Sequence, residues 1–370
     1  MTSFSGRLGI YVHVPFCRTR CRYCDFYRVG ENRERISRFL AALAAEIDGS
    51  EEFHGREVDT VFLGGGTPSL LSPAQIGLVL DRLGERFDIV GGAEVSMEGN
   101  PSDLSPERLR AIRRAGVNRL SVGVQSFNDR ELSLLGRRHD AARARAVVRS
   151  GREAGFENVS LDLMLATPGQ TEAAFRRTLE ETIALETDHV SVYLLEVHPR
   201  SEIDGLRRAR PRLFPSEEAQ RRRYLRTVEA LEAAGLAQYE ISNFARPGCE
   251  SRHNLKYWRL EPYLGFGPAA HSAVGDRRWQ HPASLAAYLE QPLARQELPS
   301  DPKRERIFLG LRLRQGLEES ELVSALEIDP DEWASRRDKL APFLESRHGR
   351  LRLSLEGILV STSVLAELLG

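Results

Sequence analysis

Lysine is almost missing from this 370-residue chain, occurring only at 256, 303 and 339, so arginine supplies nearly all of the positive charge. Coding bias explains that better than phosphate recognition, because 52 basic residues are balanced by 53 acidic ones and the net charge is −1. So balanced a chain has no overall electrostatic footprint for nucleic acid, and no nucleic-acid partner is expected. Long apolar runs are missing too. No stretch approaches the ~18–20 consecutive apolar residues that a bilayer crossing requires, and the first residues lack the charged-then-apolar order of a targeting segment. The expectation is a cytoplasmic chain without a membrane span; peripheral contact with a membrane and pairing into a homodimer stay open. Low-complexity segments and short-period repeats are absent. Cysteine is scarce, four residues in all.

Three of those four nevertheless crowd into one stretch, Cys17-Arg-Thr-Arg-Cys21-Arg-Tyr23-Cys24, directly after the β-rich run Gly9-Ile-Tyr11-Val-His13-Val, which ends at Pro15. Clustered thiols in a chain with no secretory signal point to a metal, and a disulfide is disfavoured by the odd number and tight spacing. A four-iron, four-sulfur cluster held by three cysteines leaves one iron open to a further ligand. A structural zinc wants four protein ligands, and His13 could supply the fourth. Three unrelated buried thiols are the plainest alternative.

At this length one large α/β barrel with an appendage is the natural expectation. Short β-rich runs at 9–14, 58–63, 94–98, 119–124, 159–165 and 189–195 alternate with helical periodicity over 31–53, 73–87, 106–115, 129–135 with 141–154, and 171–185. The strand intervals are near the ~30 residues of a βαβ unit, predicting an incomplete (β/α)6 barrel over 1–235. Residues 216–234 read as an amphipathic cover helix whose Arg221, Arg222 and Arg223 form a solvated face. The stretch 236–302 reads as a loop-rich extension and linker. A small winged-helix-like domain follows at 303–370, with helices over 304–314, 318–326 and 331–346, a strand pair around Leu351 and a last helix near Val364.

The polar and glycine features fall where strands finish. Loops at that face of a parallel barrel converge on one mouth while branched side chains fill the core, so Cys17, Gly65, Glu98, Gln125 and Thr167 should gather. Gly64-Gly65-Gly66-Thr67-Pro68 lets the main chain approach a ligand closely and offer N–H groups, or is simply a strand-to-helix turn. Glu98, Arg137 and Asp162 are ionisable groups in or beside apolar segments; they form an internal ion-pair network or receive a ligand's ribose, ammonium and carboxylate groups. His253, in His-Asn-Leu-Lys-Tyr-Trp258, is a haem ligand beside aromatic rings or an ordinary packing contact. His271 and Cys249 are weaker candidates of the same kind.

Cys-x3-Cys-x2-Cys after a strand resembles the signature of the radical S-adenosylmethionine (SAM) superfamily. Over nearly the whole chain the residues resemble one branch of it, the oxygen-independent coproporphyrinogen III dehydrogenases and their relatives, the HemW-type haem chaperones. The resemblance implies a [4Fe-4S] cluster on Cys17, Cys21 and Cys24. It implies SAM contacts from Tyr11, Tyr23, Gly65, Gly66, Thr67, Glu98, Gln125, Arg137 and Asp162. Two departures separate this chain from the dehydrogenases. Phe26 stands where they carry a further cysteine, and only eight residues precede the first strand in place of a longer extension. His253-Asn-Leu-Lys-Tyr-Trp258 instead resembles the chaperones' His-Asn-x-x-Tyr-Trp element, whose histidine is implicated in haem binding. The implied function is uptake of haem and its transfer to apo-haemoproteins such as respiratory-chain cytochromes, with oxidative decarboxylation of coproporphyrinogen as the alternative.

Overall fold

The computed structural model describes residues 6–369. Its frame is one twelve-stranded sheet: β1 (Leu8–Val14), β2 (Glu57–Gly65), β3 (Asp88–Gly99), β4 (Arg119–Gln125), β5 (Asn158–Leu165), β6 (His189–Leu194), β7 (Ala237–Gln238), β8 (Asn243–Ala245), β9 (Tyr263–Phe266), β10 (His271–Val274), β11 (Arg277–Gln280) and β12 (Gln296–Leu298). In space they run β12-β11-β10-β9-β1-β2-β3-β4-β5-β6-β8-β7. β1 to β6 are parallel neighbours in sequence order, as the alternation with helices requires.

The helices between them are α1 (Arg33–Gly49), α2 (Pro73–Arg86), α3 (Pro106–Arg114), α4 (Asp129–Leu134), α5 (Ala141–Glu153) and α6 (Glu172–Ala184). Their starts are written locally. Asn32, Ser72, Ser105, Asn128, Asp140 and Thr171 each cap a helix by accepting from a backbone N–H of its first turn, and Pro73 and Pro106 occupy the first helical position. After β6 come α7 (Glu202–Ala209), α8 (Glu217–Ala233) and α9 (Arg252–Arg259).

The barrel wall is layered differently from the expected pattern. Branched side chains such as Ile10, Val61, Val122, Leu161 and Val190 face the helices and form the main core. The alternate residues, among them Tyr11, Phe62, Glu98, Ser121, Asp162 and Ser191, line an internal cavity. The lumen is therefore polar, because the helices already bury the branched face of every strand.

The stretch read as loop-rich adds a seventh parallel strand, since β9 pairs with β1 from Gly9↔Tyr263 to Val12↔Phe266. It also supplies α9. Four-residue strands and a polar-aromatic helix give too little periodicity to be read from sequence. Arg223 is not solvated: it is buried, and its guanidinium donates to the backbone and side-chain oxygens of Gln170.

At the C-terminal end, Pro302–Gly310, Leu317–Glu318, Glu319–Leu326, Pro330–Lys339, Leu344–Arg347 and Arg350–Leu353 follow in helix-strand-helix-helix-strand-strand order, the arrangement of a winged helix. The helix expected over 331–346 stops at Lys339, because Pro342 has no N–H to continue it; Leu344–Arg347 pairs instead with Arg350–Leu353. Leu355–Leu359 and Ser361–Leu369 complete the chain.

Candidate cofactor site

The cysteine loop leaves β1 and is tied down at both ends. Phe16–Cys17 forms a short parallel pair with Val29–Gly30, and Gly66 N–H donates to Val14 O at 2.8 Å. On the far side Arg22 N–H donates to Leu135 O at 3.1 Å, while Tyr23 packs against the cluster Leu135, Met164, Leu195 and Ile203. Between these anchors the three thiols stay partly exposed and unbridged.

They border a cavity of about 390 Å³ at the carboxyl ends of the strands. Its wall includes Cys17, Cys21, Tyr23, Cys24, Gly65, Gly66, Thr67, Glu98, Gln125, Arg137 and Asp162, so eleven of the residues singled out in the sequence converge there. Thr167 does not join them. Its hydroxyl is buried and donates to Glu131 at 2.8 Å in a network with Ser126 and Gln170 that braces the wall.

Cys17 Sγ lies 3.4 Å from the Thr67 hydroxyl, and Arg137 donates to Cys21 Sγ at 3.4 Å and to Gly123 O at 2.6 Å. Burial pushes the Cys17 and Cys24 thiols up, against the pull of the Thr67 bond on the first and the Phe26 N–H on the second. Burial opposes the charge of Arg137, but Tyr23 and Cys21 outweigh it and the guanidinium stays ionised. Glu98 accepts from Gly65 N–H at 3.2 Å. Loss of water around it, then the charge of Asp162, raise its carboxyl to about 8. Asp162 is also raised by burial, offset in part by bonds from Ser121 and Ser191.

Gln125 holds a left-handed φ of 68° at the end of β4, where the pairing with β5 shifts register. A non-glycine residue there is uncommon, and this one falls at the strand end that faces the mouth. Beside it, a Cβ on Gly123 would come within 3.2 Å of both Arg137 and Gln125, so this glycine admits the two polar groups to the wall.

Comparison with known proteins sets this geometry in a family. The Radical SAM superfamily model matches residues 11–182. The protein named "Heme chaperone HemW" in Bacillus subtilis is 36% identical over 318 residues, covering 83% of this chain and 84% of that one. Its namesake in Mycobacterium tuberculosis is 38% identical over 375 residues, covering 98% and 95%. The chain belongs to the HemW family of radical SAM proteins.

Among solved structures, coproporphyrinogen III oxidase (HemN) of Escherichia coli superposes with a TM-score of 0.82 at 26% identity, covering 98% of this chain and 90% of that one. Membership of the radical SAM superfamily implies a [4Fe-4S] cluster and SAM, and the donor set suits them. Three thiols share one cavity wall with a guanidinium, two carboxyls and a glycine turn. Zinc fits less well. His13, the fourth ligand it would need, has both ring nitrogens engaged, Nδ1 with the Tyr11 hydroxyl and Nε2 with Tyr27 O.

Two residues lie deeper than this HemW-family chain's sequence suggests. Tyr11 and His253 line the lumen, in a second cavity of about 300 Å³. His253 is 0% exposed. Its Nδ1 meets Thr60 Oγ1 at 2.9 Å and its Nε2 the Tyr257 hydroxyl at 2.7 Å, and its ring stacks on Phe62. Burial, with Lys256 and Arg119 nearby, lowers its pKa to about 3, so it is neutral. His253, Asn254 and Tyr257 of α9 line the lumen, so this helix closes its lower end. Cys249 lies at the opposite end from the cluster loop, where its carbonyl accepts from Asn158, the first residue of β5. His271 is exposed on β10. Among the described residues no helix is long and apolar enough to cross a membrane.

Proposed function

We propose that this chain is a cytoplasmic haem chaperone, which takes up haem and passes it to apo-haemoproteins such as respiratory-chain cytochromes. The observation that carries the reading is the near full-length match to relatives named as haem chaperones. In it, Cys17, Cys21 and Cys24 hold the [4Fe-4S] cluster. Gly65, Gly66, Thr67, Glu98, Gln125, Arg137 and Asp162 hold SAM from the mouth, with Tyr23 beside the cysteines and Tyr11 below. The cluster supplies an open iron and an electron; the chain's part is to seat the cofactor and keep water out. We divide the chain into the barrel (1–235), the extension carrying the His253 element (236–302) and the terminal module (303–370).

His253 is the proposed haem ligand, and its surroundings set a condition. It can reach an iron only after Thr60 or Tyr257 gives up one ring nitrogen, and because the ring is fully buried α9 must shift to expose it. Haem titration of the wild type and His253→Ala tests this: at least a tenfold loss of affinity is expected, and equal affinity removes His253 from the role. Anaerobically reconstituted protein should show iron-sulfur absorption that disappears in Cys21→Ala.

A second reading, decarboxylation of coproporphyrinogen, is favoured by the likeness to HemN. Against it, Phe26 is 64% exposed at the rim of the mouth where the dehydrogenases carry a cysteine. Incubation with coproporphyrinogen III, SAM and a reductant should yield no decarboxylated product; product formation replaces the chaperone reading.

A further inference from the structure

Below the mouth, the lumen holds a guanidinium that no described residue neutralises at close range. Arg119 opens β4 and points inward, one residue pair below Ser121, which bonds Asp162. It is 3% exposed and lines the 300 Å³ cavity. Among the described residues it forms no hydrogen bond or ion pair, and its Nε is a buried donor without an acceptor. The other two buried arginines do find partners: Arg223, whose Nε likewise lacks an acceptor, bonds Gln170 through both terminal nitrogens, and Arg352 bonds Glu345 and Arg314 O. Buried charges are ordinarily paired, since an uncompensated one costs several kcal/mol, so each exception calls for a partner.

The nearby carboxyls do not provide one. Arg119 draws on Glu98 and Asp162 through space, yet Glu98 is turned to Gly65 N–H and Asp162 to Ser121. A guanidinium present only to balance them would sit in contact with one.

We propose that the lumen is a binding site for a small organic carboxylate, seated beneath the cofactor pocket with its carboxylate on Arg119. A planar fork of N–H donors matches a carboxylate bidentately, which a point charge would not do. The remaining wall suits the rest of such a molecule. Phe62, Tyr11 and the neutral His253 offer ring faces, and Ser191 and Tyr193 offer hydroxyls. A volume of 300 Å³ stands at the lower end for small-molecule pockets, which restricts the ligand to a compact acid. Entry is from above, because Glu98, Asp162 and Tyr193 line both cavities and join them. This inference rests on the lumen alone and stands or falls separately from haem binding.

The test uses the full-length chain and 4-bromobenzoate, an unreactive carboxylate with a heavy-atom label. Thermal denaturation at constant ionic strength, with chloride as control, should show a saturable rise in Tm for the wild type. Binding should weaken about tenfold or more in Arg119→Met, one lost charged contact, and stay within about twofold in Arg138→Gln, which alters the mouth. No saturable response, or loss in Arg138→Gln with Arg119→Met unaffected, overturns the proposal. Should Arg119→Met fail to fold, wild-type crystals soaked in the probe decide: a bromine anomalous peak in the lumen upholds the site, and one confined to the mouth or surface, or none, refutes it.

Discussion

At the scale of single residues, the glycine turn serves two ends. Gly66 faces the backbone of the cysteine loop, where a Cβ would lie 2.7 Å from Phe16 O and 2.8 Å from Val14 O. Backbone cannot yield as a side chain can, so Gly66→Ala should destabilise the chain by about 1–3 kcal/mol, as overpacking does. A urea unfolding curve measures it. Gly65 has a φ of 104° and its Cβ would meet the His13 ring. Both glycines were legible as special from their setting after a β run, but the ligand-approach argument captured only half of the cause. The rest is the seating of the loop that carries the thiols. Gly123 was not legible, since a lone glycine within a strand pattern gives no hint of the two polar side chains it lets in. Thr167 was misplaced for the converse reason: a polar residue at a strand end was assumed to face the mouth, and its partner Glu131 lies on α4 behind the wall.

At the scale of elements, the barrel strands were readable because most alternate a branched residue with a polar or small one, and β1, β2 and β3 finish at a proline or glycine. What could not be read was which face turned inward, and that decides the lumen's chemistry. α9 escaped notice because its core contacts are a histidine and a lysine. His253 reaches Thr60, and Lys256 pairs with Asp59 at 2.8 Å and donates to Arg7 O. A helix held by such bonds is costly to unpair when one partner is cut. Lys256→Met should therefore lower stability by about 2–4 kcal/mol, and if α9 must withdraw for haem to reach His253, it should also speed haem capture. Stopped-flow absorbance checks the second effect; an unchanged rate would mean that haem binds without disturbing this helix.

At the scale of the whole molecule, buried titrating groups tilt stability with pH in opposite directions. His253 titrates near 3 when folded and near 6.5 when unfolded. Between these values the unfolded chain takes up a proton that the folded one refuses, so stability falls as pH drops, by up to about 1.4 kcal/mol per unit. His189, also lowered by burial, acts the same way. Glu98 does the reverse: at about 8 folded and ~4.3 unfolded, it makes stability fall as pH rises between those values. The metal-free chain should accordingly have flatter urea midpoints from pH 6 to 8 in Glu98→Gln, and from pH 6 to 4 in His253→Gln, than in the wild type. Equal slopes in variant and parent would show that these sites are wetter than their surroundings imply. None of this was visible in composition, because it depends on which charges the fold strips of water.

The first helix of the terminal module, Pro302–Gly310, packs on α9, which in turn rests on β2. The plug beneath the lumen is therefore clamped between two bodies. Any partner that prises the terminal module away from the barrel also loosens the stopper, and so unlocks the chamber from the end opposite the iron.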